Sequence, residues 1–168
     1  MPSPLLETKL FIPTRRGAHL ARPRLAQQLN RVYEAKLTLV SAPPGFGKTT
    51  LLATWLADAP ENRPSIAWLS LDQADNAPTV FWKYVIATLN RRLAAGVGGS
   101  ALALLELDPA PIDAVLTALL NDVAADPNEL VLVLDDYHVI EERDIHDGMA
   151  FLLDHLPPQF HVVIASRA

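Results

Sequence analysis

Leu37-Thr38-Leu39-Val40-Ser41-Ala42-Pro43-Pro44-Gly45-Phe46-Gly47-Lys48-Thr49-Thr50 passes from a short β-rich apolar run, through a loop of proline and glycine, into a lysine and two threonines. The two prolines remove backbone donors and forbid continuation of the strand. Leu51, Leu52, Trp55 and Leu56 then share one side of a helix. Residues 42–49 fit the pattern G-x-x-x-x-G-K-[ST] at every fixed position but the first, where Ala42 stands and Pro43 biases it toward an extended conformation. Gly45 and Gly47 allow backbone conformations closed to other residues. Successive N–H groups around Phe46 can then converge on an anion, helped by the positive end of the following helix. In such a loop Lys48 reaches the β- and γ-phosphates of a nucleotide, the Thr49 hydroxyl ligates Mg²⁺, and Thr50 touches the α-phosphate. The plainer reading is a Gly/Pro turn beside a surface lysine; a strand before the loop and a helix after it favour phosphate binding.

Outward from this stretch, strand-length apolar runs recur at residues 66–71, 130–134 and 160–165. Their lack of alternation predicts burial on both faces, as in a parallel sheet between helix layers. Between them the period becomes helical. Arg22-Pro23-Arg24 opens a helix carrying Leu25, Leu29 and Val32, and residues 78–93 carry Phe81, Tyr84, Val85 and Leu89. Ile112, Val115, Leu116, Leu119, Leu120 and Val123 form a third apolar stripe; Ile145, Met149, Leu152, Leu153 and Leu156 form a fourth. Residues 94–100 read as a flexible connection, and residues 1–20 as an irregular arm. The expected fold is α/β: a three-layer P-loop NTPase fold, mostly parallel sheet with helices on both faces. Its ending just past a strand reads as truncation at the C-terminal end. Residues 1–35 are read as a basic arm and helix leading into the nucleotide site, and 36–168 as the core.

Three further residues complete the expected site. The apolar strand 130–134 runs into Asp135 and Asp136. In a P-loop fold an acid there holds Mg²⁺ from the side opposite the loop, the role assigned to Asp135. Asp136 is read in two ways, as the group that orients the attacking water or as a helix or turn cap. Arg167 follows the last strand, where ligands of doubly wound sheets gather. It either senses a γ-phosphate or is a solvated residue. The histidines show no zinc-ligand spacing, Trp55, Trp68 and Trp82 read as core, and Asp72 and Asp75 read equally as turn caps or ligands.

Composition bounds the rest. Of 168 residues, 50% are hydrophobic and 20% charged, a globular balance with room for one core. The absence of cysteine excludes disulfides and Cys-based zinc sites. No apolar run approaches the roughly 20 residues that span a bilayer, and Met1-Pro2-Ser3-Pro4 lacks the features of a secretory signal. A cytoplasmic location fits. The net charge of −5 is uneven: residues 1–36 hold seven Lys/Arg against Glu7 and Glu34, so they carry +5 and the remainder −10. This basic segment could contact phosphates or nucleic acid, but reads more simply as a solvated surface.

Thr8-Lys9-Leu10, Arg22-Pro23-Arg24-Leu25, the loop with Thr50, Trp68-Leu69-Ser70-Leu71-Asp72 with Asp75-Asn76, Leu134-Asp135-Asp136-Tyr137-His138 and Ala165-Ser166-Arg167 occur in this order. Together they resemble the ATPase domain of the large LuxR-type transcriptional activators, the maltose-regulator-like branch of the STAND signalling NTPases. The resemblance implies a switch in which ADP holds a closed monomer, while ATP with an inducer permits self-association and transcription activation. It implies Lys48, Thr49, Asp135 and Arg167 as loop, Mg²⁺ and sensor residues, and places Arg22 beside the adenine. Lid, sensor repeats and the DNA-binding helix-turn-helix of that family are expected outside this chain. Inducer and promoter DNA would therefore be bound elsewhere, and hydrolysis by this part alone should be slow or absent. Two other readings stay open: a phosphotransferase acting on a small molecule, and a scaffold whose nucleotide is structural.

Overall fold

The computed structural model describes residues 4–13, 23–43, 47–57, 65–94 and 96–167. Four strands, β1 (Leu37–Ala42), β2 (Ser65–Ser70), β3 (Leu130–Asp135) and β4 (Phe160–Arg167), form one sheet in the order β1-β4-β3-β2. Every pairing is parallel. Six α-helices accompany it among the described residues: α1 (Pro23–Leu29), α2 (Lys48–Ala57), α3 (Pro78–Asn90), α4 (Gly99–Leu105), α5 (Ile112–Ala124) and α6 (Arg143–Asp154).

Strands β2, β3 and β4 are apolar on both faces because each face has its own helix layer. Ile66, Trp68, Val131, Val133, Val163 and Ala165 pack with Leu52, Trp55 and Leu56 of α2 and with Leu29 and Val32. Their strand neighbours Ala67, Leu69, Leu132, Leu134, Val162 and Ile164 point the other way, onto α3, α4, α5 and α6. Period-2 geometry thus divides a continuous apolar run between two cores. Thr88 ties α3 to the sheet by donating its hydroxyl to the Trp68 carbonyl at 2.8 Å. All three tryptophans are buried, as expected of core residues.

Several boundaries and one element differ from expectation. β2 begins at Ser65 and stops at Ser70, and α3 ends at Asn90. β4 continues through Ser166 to Arg167, because those residues pair with Ser41 and Ala42 of β1. The expected connection at 94–100 leads directly into α4, a helix too short to show an apolar period. Gly98 enters it at φ 84, where an added Cβ would lie 2.8 Å from Cγ2 of Ile86. Within the arm, Glu7–Leu10 is a turn of 3-10 helix, and Leu10 joins the larger core. Lys9 corrects the reading of this basic segment as wholly solvated, since it is only 8% exposed.

Candidate functional site

Parallel strands deliver their C-terminal ends to one side of the sheet. The registers Ala42↔Arg167 and Ser70↔Asp135 place the end of β1 beside that of β4, and the end of β2 beside that of β3. Beyond β1, Gly47 adopts φ 73. A Cβ there would meet only the Thr50 Cβ, at 3.9 Å, so it is backbone conformation and not space that asks for glycine. Its carbonyl accepts the Leu51 N–H at 2.8 Å, starting the ladder of α2. The first amides of a helix have no partner within it, and with the helix dipole they attract anions. Lys48 and Thr49 are half-buried on this first turn and Thr50 is exposed. Gly45, Phe46 and Arg22 lie outside the described residues.

Asp135 closes the site from the sheet side. It ends β3 with 3% of its surface exposed. The Thr49 hydroxyl donates to its Oδ2 at 2.7 Å and the Asp136 amide to its Oδ1 at 3.0 Å. Burial pushes the Asp135 carboxyl above its ordinary range; the Thr49 hydrogen bond and the Lys48 charge pull against that rise, while the Asp136 charge adds to it. Two hard oxygen donors, the Thr49 hydroxyl and the Asp135 carboxylate, are therefore already in contact. That set suits Mg²⁺, which takes few protein ligands and completes its shell with phosphate and water. No group of three or more His, Asp or Glu able to hold a metal by itself occurs among the described residues.

Asp136 sits at φ 61 and ψ 38, left-handed backbone that only a minority of non-glycine residues adopt. It occupies the cap position of the 3-10 turn Tyr137–Val139, yet its side chain makes no capping hydrogen bond. The cap reading therefore holds for its place in the chain and not for its carboxylate. Arg167 is exposed at the end of β4, and its amide donates to His138 Nδ1 at 3.3 Å. The fold thus joins Thr49 to Asp135 directly and brings Asp136 and Arg167 to the same end of the sheet. Asp72 and Asp75, read as caps or ligands, are caps. Asp72 accepts from the Ala74 amide, and Asp75 from the Asp72 amide, each at 2.9 Å.

Two residues beside the site escaped selection as functional candidates. Lys9 pairs with Asp75 and, at 3.1 Å, with Asp72, so the N-terminal segment is fastened to the end of β2. Asn76 reaches from the same turn to the loop that follows Asp136. Both lie in the quoted stretches Thr8-Lys9-Leu10 and Asp75-Asn76, but partners some sixty residues away leave no local trace in sequence.

A family model described as an AAA ATPase domain matches residues 16–165. The chain belongs to the AAA ATPase domain family. It is thereby a nucleotide-binding P-loop NTPase domain, and the α/β parallel sheet agrees. Curated relatives bear out the resemblance to LuxR-type, maltose-regulator-like proteins. The HTH-type transcriptional regulators MalT of Cronobacter sakazakii and Yersinia enterocolitica are each 34% identical over 163 residues, and that of Vibrio cholerae 31%. These matches cover 97% of this AAA ATPase domain chain and 18% of each relative, so the chain spans under a fifth of their length. The solved structure of C. elegans PCH-2 overlays 87% of the chain and 36% of its own, with a TM-score of 0.39 at 12% identity, a distant likeness that adds nothing to the fold described above. No helix among the described residues is long and apolar enough to cross a membrane.

Proposed function

We propose that this chain is the ATP/ADP switch domain of a LuxR-type transcriptional regulator, binding its nucleotide with Mg²⁺. The observation that supports this reading is the 2.7 Å hydrogen bond from Thr49 to Asp135, which joins the phosphate-loop helix to the acid of β3, as two ligands of one cation would require. Lys48, on the same helix turn, would hold the β- and γ-phosphates, with Gly45, Phe46, Gly47 and Thr50 supplying the cradle. Bound Mg²⁺ would neutralise phosphate charge. Asp136 would orient the attacking water, Arg167 would report on the γ-phosphate, and Arg22 would lie by the adenine. Hydrolysis would be slow in the parent protein, as suits a switch: occupancy by ADP or ATP, and not turnover, would carry the signal. The parent would self-associate in its ATP state in the cytoplasm, with inducer and promoter DNA bound by domains outside this chain.

Calorimetry with Mg-ATP and Mg-ADP tests the reading, on this chain and on Lys48→Ala. The proposal requires binding by the unmutated chain that disappears in the variant. A preference for ADP would support a resting, ADP-held state. Failure of the folded, unmutated chain to bind either nucleotide would sink it.

A further inference from the structure

We infer that Asn76 is a positioning residue for the acid-bearing loop after β3, holding Asp135 and Asp136 in the arrangement that Mg-nucleotide requires. The inference rests on the nucleotide reading of the site and extends it to a residue outside the proposed nucleotide- and metal-binding set. Asn76 ends the 3-10 turn Gln73–Asn76, beyond β2. Its Nδ2 donates to the carbonyls of Gln73 at 3.1 Å and Val139 at 2.8 Å. Its Oδ1 accepts the amides of Glu141 at 2.6 Å and Glu142 at 3.1 Å. The amide's hydrogen-bonding groups are thus filled on both sides, and the opposite flip would set donors against donors. Three of these four bonds cross from the β2 loop to the stretch between Asp136 and α6.

That stretch needs an external brace. Its first residue, Asp136, is in left-handed backbone, and such a conformation persists only where the surroundings over-determine it. Inside the stretch, Val139 donates to the Asp136 carbonyl at 3.2 Å and Ile140 to that of Tyr137 at 3.0 Å. Those bonds shape the turn but do not fix it to the sheet. Ile140 anchors it in the larger core, with Tyr137 and Val139 packed alongside and the Tyr137 hydroxyl 2.8 Å from His146 Nδ1, and polar fixation to the neighbouring strand ends comes from its flanks. On the β4 side the Arg167 amide meets the half-buried His138 at 3.3 Å. On the β2 side Asn76 supplies three shorter contacts.

Asn76 can serve as a brace because its own turn is immobilised. Asp72 and Asp75 cap that turn reciprocally. Asp75, 1% exposed, and Asp72 both face the buried ammonium of Lys9, which also lies 4.4 Å from the centre of the Tyr84 ring. The N-terminal segment, the β2 loop and the acid loop are thereby joined in series, with Asn76 as the link nearest the acids.

The test compares the unmutated chain, Asn76→Ala, and Thr88→Val as a control that removes a buried hydrogen bond far from the loop. Each is titrated with ATP in Mg²⁺ and with ATP in EDTA, with hydrogen exchange followed at the Glu141 and Glu142 amides. Asn76→Ala should weaken Mg-ATP binding about tenfold or more, the scale of lost outer-shell support for a metal site, and leave ATP in EDTA unchanged. The two amides should exchange faster, and Thr88→Val should show neither effect. Should Asn76→Ala fail to fold, Asn76→Ser carries the same comparison with a shorter polar arm. Equal losses with and without Mg²⁺, or no loss in either, would overturn the positioning role while the nucleotide reading stands. If the unmutated chain binds no ATP, or binds it equally in Mg²⁺ and EDTA, the underlying reading of the site fails and the positioning role goes with it.

Discussion

Asp135 must be a good ligand and a tolerable buried residue at once, and the two demands conflict. Its folded-state pKa lies above the ordinary value of 3.8, chiefly through burial. A carboxyl with a raised pKa holds its proton more tightly in the folded state. Its contribution to stability is therefore present in acid and is lost as pH rises from the unfolded value through the folded one. Asp135→Asn keeps an acceptor for Thr49 and abolishes the charge. At neutral pH, without nucleotide, the variant should melt about 2–4 °C above the unmutated chain, the response of a domain this size to about 1 kcal/mol. In acid the difference should shrink. Its Mg-nucleotide affinity should fall, because a neutral amide is a poor partner for Mg²⁺. In the unmutated chain that affinity should decline as pH drops through the raised pKa, where proton and cation compete for one carboxylate. Melting curves at acid and neutral pH, beside calorimetry, check all three. An Asn variant no more stable than its parent would refute the charge argument.

Between elements, α6 approaches α3 closely at Gly148. A Cβ on Gly148 would lie 2.7 Å from Cζ2 and 3.2 Å from Cε2 of Trp82, a fully buried ring in edge contact with Phe81. Gly148→Ala gains helix propensity worth about 1 kcal/mol but overpacks a closed core at about 1–3 kcal/mol. The net expectation is a loss of about 1 kcal/mol in denaturant unfolding. It should be smaller in a Trp82→Phe background, where the offending carbon is gone. A variant more stable than the parent would show that the helices can separate freely. At this scale much was legible in sequence. The stripes Ile112 to Val123 and Ile145 to Leu152 announced α5 and α6 because each repeats its apolar positions over several turns. α4 was not legible, since Gly98-Gly99-Ser100 looks like a linker and seven residues carry too little period. The phosphate loop and the Asp135-Asp136 pair were readable because their chemistry is local. Lys9 and Asn76 act on partners brought near only by folding, and a lone lysine or asparagine has no pattern.

Across the whole sheet, unalternating strands foretold two helix layers but not the strand order, which depends on contacts no single strand encodes. The order leaves one long side of β1 unpaired among the described residues, with Leu39 66% exposed on that strand. Open strand edges invite pairing with other chains. Leu39→Lys should lower concentration-dependent self-association in sedimentation experiments and leave nucleotide binding intact; unchanged association would exonerate the edge. The same order bears on how the site comes into being. Among the described residues β1 has β4 as its one neighbour, and β2 and β3 lie between them in the sequence. Contacts between distant segments require long closures and form slowly. On a ribosome, β1 emerges early and waits without a strand partner until β4 follows. The phosphate loop is thus made well before the strand that seats it.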